Sequence, residues 1–136
     1  MTMNIANFDD LLCASRAQPE PQRLLFVFAH AVLPDDSTQE QRERFDAGEG
    51  GVLEPLMSVD KAPEELGTFA ALVEESRRFG SEWAVVFVAG LSGSNGQPPN
   101  SADADRSLQR MIDSIKRGEL GGFIPFDRYG QPVLFG

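Results

Sequence analysis

The chain has 136 residues, 41% of them hydrophobic, with 12 Lys and Arg against 21 Asp and Glu for a formal net charge of −9. That length suits one domain spanning 1–136, and that apolar fraction argues against disorder. The acidic balance disfavours nucleic acid, because counterion release needs a basic surface, and no run approaches the ~20 apolar residues that cross a bilayer.

Residues 1–7 lack the basic segment and long apolar run of a signal peptide. Cys13 is the sole cysteine, so no internal disulfide can form. Both features fit a soluble protein of the bacterial cytoplasm. Asn7 and Asp10 look like an N-cap pair, after which Phe8, Leu11, Leu12 and Ser15 fall on one helical face. Pro19 and Pro21 end that helix. Leu24 to Leu33 is apolar on both parities and reads as a strand covered on both faces. Ser37 and Glu40 have the spacing of a capping box. The polar stretch that follows, ending at Gly48, reads as a solvated helix anchored by Phe45. Val52 to Val59 is a second strand, which Pro55 pushes toward a sheet edge or a bulge.

Pro63 opens the next helix, with Leu66, Phe69, Ala70 and Val73 as its apolar stripe and Gly80 as its end. Trp83 to Leu91 is a third strand, again apolar on both parities. A loop over 92–100 follows, marked by Gly93, Gly96, Pro98 and Pro99. Ser101 then caps a helix whose Ala104, Leu108, Met111, Ile112 and Ile115 share a face, with Gly118 as its C-cap. Asp103 and Asp105 at its start and Lys116 and Arg117 at its end match the macrodipole. Finally, Phe123-Ile124 and Val133-Phe135 flank Asp127-Arg128-Tyr129-Gly130 as a hairpin. The alternating order predicts an α/β domain. Its mixed, mostly parallel sheet has about five strands, with helices on both faces and a C-terminal β-hairpin.

Gly90, Gly93 and Gly96 follow a strand and precede a helix, where phosphate loops are built. Neither GxGxxG nor a Gly-Lys-Ser/Thr ending is present, and Asp103 and Asp105 would repel phosphate. A flexible connection accounts for these glycines. A polar ligand at Ser92, Ser94 and Asn95 is the competing reading, because crevices beyond strand ends are common sites. His30, the single histidine, shares the parity of Phe26 and Phe28, so a hydrogen-bonded core role competes with a site role. One histidine and one cysteine cannot complete a three-histidine or His/Cys/Cys zinc set, and no metal or cofactor is expected. No GxSxG elbow nominates a serine for a Ser–His–Asp relay. Cys13 lies off the apolar helix face, without a CxxC partner. Asp127, Arg128 and Tyr129 read either as turn residues or as part of a ligand site.

Asn7-Phe-Asp-Asp-Leu-Leu12, Leu25-Phe-Val-Phe-Ala29 and Phe69-Ala-Ala-Leu-Val-Glu-Glu-Ser76 resemble a small proteobacterial family. Its members are often labelled ribonucleotide reductase subunit alpha. Gly122-Phe-Ile-Pro-Phe-Asp-Arg128 and Gln131-Pro-Val133 complete the resemblance over the whole chain. The label implies a large barrel enzyme with a radical cysteine and a cysteine pair, which one cysteine cannot supply. Pro125-Phe-Asp-Arg128 also resembles a fragment of the nucleotide-binding ATP-cone, although there it stands near the start of the module. The element order and Ile124-Pro-Phe-Asp-Arg-Tyr-Gly-Gln-Pro-Val133 resemble the thioredoxin-like fold, without its CxxC or last helix. No functional residue follows from these resemblances.

The sequence thus points to a non-catalytic binding or regulatory module, partnered by another protein or by its own copies. The alternative is a small enzyme or ligand-binding domain using the Ser92–Asn95 loop with His30 or Asp127 nearby. The two separate on whether those residues converge on one concave pocket.

Overall fold

The computed structural model describes residues 7–33, 36–46, 52–78 and 82–133, and Phe45 by its backbone only. In chain order the elements are α1 (Phe8–Arg16), β1 (Gln22–Val32), α2 (Gln39–Asp46), β2 (Val52–Lys61) and a 3-10 turn (Pro63–Glu65). They continue with α3 (Phe69–Arg77), β3 (Val85–Ser92), α4 (Ser101–Lys116) and β4 (Ile124–Phe126). Among the described residues no helix is long and apolar enough to cross a membrane.

Polar side chains set the helix starts. Asn7 Oδ1 accepts from Asp10 N at 3.0 Å to open α1, as its spacing predicts. The box at α2 sits one residue later than expected. Thr38 Oγ1 accepts from Gln41 N, while Gln41 Oε1 accepts from Thr38 N. Thr38 precedes the first helical residue, so its hydroxyl rather than that of Ser37 reaches the orphan amide. Pro63 begins only the 3-10 turn, and α3 starts at Phe69 with Thr68 as its cap. Its buried face is therefore Phe69, Leu72 and Ser76, with Val73 half-buried and Ala70 exposed. Asn100, not Ser101, caps α4 through Asp103 N at 2.8 Å. Gly118 closes α4 at φ 77°, where a glycine is favoured.

The strands form one sheet in the order β2-β1-β3-β4, and every pairing is antiparallel. The mixed, mostly parallel sheet of about five strands expected from the element order is corrected on both counts. The connection through α2 returns beside β1, and the one through α4 returns beside β3. Strands of like direction, β2 with β3 and β1 with β4, are never neighbours, since an antiparallel strand lies between each such pair. A helix between two strands thus does not by itself impose a parallel crossover. The apolar parity correctly signals two-sided burial, but two-sided burial reports helices on both faces rather than strand direction. Beyond β4 the described residues hold a single bridge, Phe126 to Pro132. Leu134 and Phe135, expected to continue that strand, lie outside the described residues, as do Gly48 and Gly80.

β1 is central, and its run from Leu24 to Ala29 is wholly buried. Leu24, Phe26 and Phe28 face α1 and α3 in a cluster with Phe8, Leu12, Leu72, Val86 and Phe126. Leu25, Val27 and Ala29 face Ala104, Leu108, Met111 and Ile115 of α4. Each large side chain so buried contributes about 1.5–3 kcal/mol, which makes β1 the strand that ties three layers together. Pro55 sits on the edge strand beside a register shift opposite Phe28 and Ala29, as its missing amide requires.

Candidate functional site

The antiparallel ladder fixes which candidate residues share an end of the sheet. Gln22 pairs with Ser92 at one end, while Ala29 pairs with Val85 toward the other, next to His30. At ~3.4 Å per residue, Gln22 and His30 stand about 27 Å apart along β1. Ser92 and His30 are therefore separated by nearly the length of the sheet.

At the Ser92 end, the 92–100 loop begins with a tight hairpin. Ser94 and Gln97 exchange two backbone hydrogen bonds of 3.0 and 2.9 Å. Asn95 and Gly96 have φ of 52° and 76°, as the two central residues of a type I′ turn require. The Asn-Gly dipeptide carries this signal in the sequence. A side chain at Gly93 would run into Gln97 O at 1.8 Å, so the turn also dictates that glycine. Ser94 and Asn95 serve the turn.

Past this turn the chain crosses to α4 and leaves a cleft of about 300 Å³. It is lined by Leu91, Ser92, Pro99, Asp103, Arg106, Ser107 and Arg110. Ser92 is the one residue of the sequence-derived set that borders it. Its Oγ accepts from Gln22 Nε2 at 2.7 Å. Asp103 and Arg106 form an ion pair one turn apart on α4. Arg110 follows a turn later on the same face, with no hydrogen bond or ion pair to any described residue. Sequence reading passes over Arg106, Ser107 and Arg110. The available signal is their spacing: 103, 106, 107 and 110 form one polar stripe that flanks the buried stripe of 104, 108, 111 and 115.

The other candidates gather at the opposite end. His30 Nε2 lies 3.8 Å from Glu54 Oε2, beyond hydrogen-bonding distance, and that nitrogen has no hydrogen-bond partner among the described residues. Asp127 Oδ1 accepts from Tyr129 N at 2.8 Å and from Gln131 N at 3.1 Å, which makes it the brace of its own turn. Arg128 Nε donates to Trp83 O at 2.8 Å and ties the turn to the segment leading into β3. Tyr129 projects from the turn 86% exposed. Cys13 is exposed on α1, away from that helix's buried residues. His30, Asp127 and Ser92 thus do not converge on one concavity. Among the described residues no three His, Cys, Asp or Glu side chains are grouped to hold a metal.

Comparison with protein-family models, curated proteins and solved structures finds no match to this chain.

Proposed function

We propose that the protein is a non-catalytic binding or regulatory module whose ligand site is the cleft between the end of β3 and α4. The observation that carries this reading is the lining of the cleft. It offers hydroxyls at Ser92 and Ser107 and guanidinium groups at Arg106 and Arg110, and its one carboxylate, Asp103, is paired with Arg106. A serine nucleophile needs a base within hydrogen-bond reach, and the single histidine stands at the far end of the sheet. The volume falls at the small end of the ~300–1,000 Å³ range of ligand pockets. Donors whose one neighbouring carboxylate is held by an arginine are suited to bind and orient rather than to activate a nucleophile.

The reading is tested by nuclear magnetic resonance of the ¹⁵N-labelled chain with pooled organic acids, amino acids, sugars and nucleotides. Shifts should concentrate on Leu91, Ser92, Asp103 and Ser107, and the pool should emerge chemically unchanged. Shifts centred on His30 and Tyr129, or conversion of a pool member, would overturn it.

Self-association is a second reading, supported by the ten-residue edge strand β2. Pro55 and the bulge beside it leave the Met57–Lys61 half as the usable edge. Sedimentation equilibrium across a hundredfold concentration range tests it, with a constant monomer mass as the contrary result.

A further inference from the structure

We infer that the cleft beside α4 is an anion site, taking a small ligand with a carboxylate or phosphate head and a short apolar body. This rests on the proposed binding reading and specifies what the site recognises.

The argument begins with hydrogen-bond capacity. Ser92 Oγ is already an acceptor for Gln22 Nε2, so its own proton is left to donate outward. Ser107 Oγ has no partner among the described residues and can also donate. Arg110 has five N–H donors and no described partner, and Arg106 spends only part of its fork on Asp103. The single carboxylate facing the cleft, Asp103, is the one already engaged. A lining with donors free of described protein partners on four side chains and its carboxylate paired is complementary to a ligand that only accepts. Carboxylate and phosphate meet that requirement, and a guanidinium fork matches both in geometry.

Two further features narrow the ligand. Leu91 and the buried Pro99 form an apolar wall next to the donors, which suits a short hydrocarbon portion. The chain's net charge of −9 opposes any anion at long range, so attraction must come from these side chains at contact distance. That combination favours a small ligand over a polyanion, which would feel the whole acidic surface. The N-terminus of α4 does not carry the site, since Asp103 occupies its first turn.

The experiment titrates the ¹⁵N-labelled full chain, in an anion-poor buffer, with inorganic phosphate, pentanoate and pentanamide. Phosphate, pentanoate or both should shift the amides of Ser92, Asp103 and Ser107, whereas pentanamide should not. Phosphate alone would mark a phosphoryl ligand, and pentanoate alone a carboxylate. Arg110→Gln should weaken the shifts by about tenfold, the usual scale of one lost charge-assisted hydrogen bond. It should also retain the parent melting curve, because Arg110 holds no described partner. Arg106→Gln provides a second reading of the same effect. Pentanamide acting as strongly as pentanoate, or an undiminished response in Arg110→Gln, overturns the anion assignment and leaves the binding-module reading standing. Silence of these amides toward both the anions and the metabolite pool overturns both.

Discussion

The indole Nε1 of Trp83 donates to Ser76 Oγ at 2.8 Å, and that hydroxyl donates in turn to Val73 O at 2.5 Å. Trp83 is 3% exposed and Ser76 is 2% exposed, so neither group has water as an alternative partner. The relay fixes the end of α3 against the chain entering β3. It also explains a serine on the buried face of a helix whose neighbours on that face, Phe69 and Leu72, are apolar.

Ser76→Ala should therefore cost about 1–3 kcal/mol, because the indole N–H is left buried and unpaired. Urea denaturation measures this directly, and an unchanged midpoint would show that the relay does not hold the helix. Ser76→Thr keeps the hydroxyl and should recover part of the loss.

Two glycines with similar backbone angles should respond differently to alanine. Gly96 has φ of 76° with open space where a Cβ would stand, whereas Gly130 has φ of 78° and would place a Cβ 3.2 Å from the Phe69 ring. Left-handed backbone alone costs about 1–2 kcal/mol for a residue with a Cβ. Gly96→Ala should show that cost and little more. Gly130→Ala should lose more, because the Phe69 ring is packed against Phe8 at 4.9 Å and cannot move freely. Equal melting temperatures for the two variants would contradict the packing at Gly130.

Particular residues show how far the sequence can be read. The double parity of Leu24–Ala29 correctly announces a central strand with layers on both sides, because burial acts on side chains one at a time. It carries no information on strand direction, which depends on how the segments 33–51 and 117–123 return to the sheet. Pro55 marks an edge and a bulge because its missing amide is a local property. Asn95-Gly96 holds a hairpin signal inside a stretch whose glycines and prolines otherwise spell only a loop. The cleft is half legible: Ser92 stands out as a polar residue at a strand end. Arg106 and Arg110 look like ordinary solvated positions on α4, since only tertiary structure sets them facing Leu91 and Pro99.

The end of the chain should contribute to stability. Val133 N donates to Pro125 O at 3.0 Å, and half-buried Val133 packs against the α4-side cluster. Removing everything after Gln131 should cost about 2 kcal/mol, from one backbone bond and partial apolar burial. For a chain of this size that corresponds to a melting temperature lower by roughly 5–10 °C. A calorimetric trace that overlays the parent would mean that these contacts add nothing to the hairpin.

Arg128 and Tyr129 offer a direct contrast between a tether and a free side chain. Arg128 Nε holds Trp83 O at 2.8 Å, whereas Tyr129 is 86% exposed and contributes to its turn through its backbone amide. Arg128→Ala should cost about 0.5–1.5 kcal/mol, the usual net worth of one hydrogen bond in a part-buried setting. Arg128→Lys should not restore it, because a lysine ammonium lacks the in-plane N–H of the guanidinium stem. Tyr129→Ala should stay within about 0.5 kcal/mol of the parent, as expected for a surface side chain without partners. Both variants should keep the response of Ser92 and Ser107 to ligand, because the turn lies at the opposite end of the sheet from the cleft. Equilibrium unfolding and the same nuclear magnetic resonance titration read the two properties separately. A Tyr129→Ala chain that is fully stable yet no longer responds at Ser92 would move the binding site from the β3–α4 cleft to the Asp127–Gly130 turn.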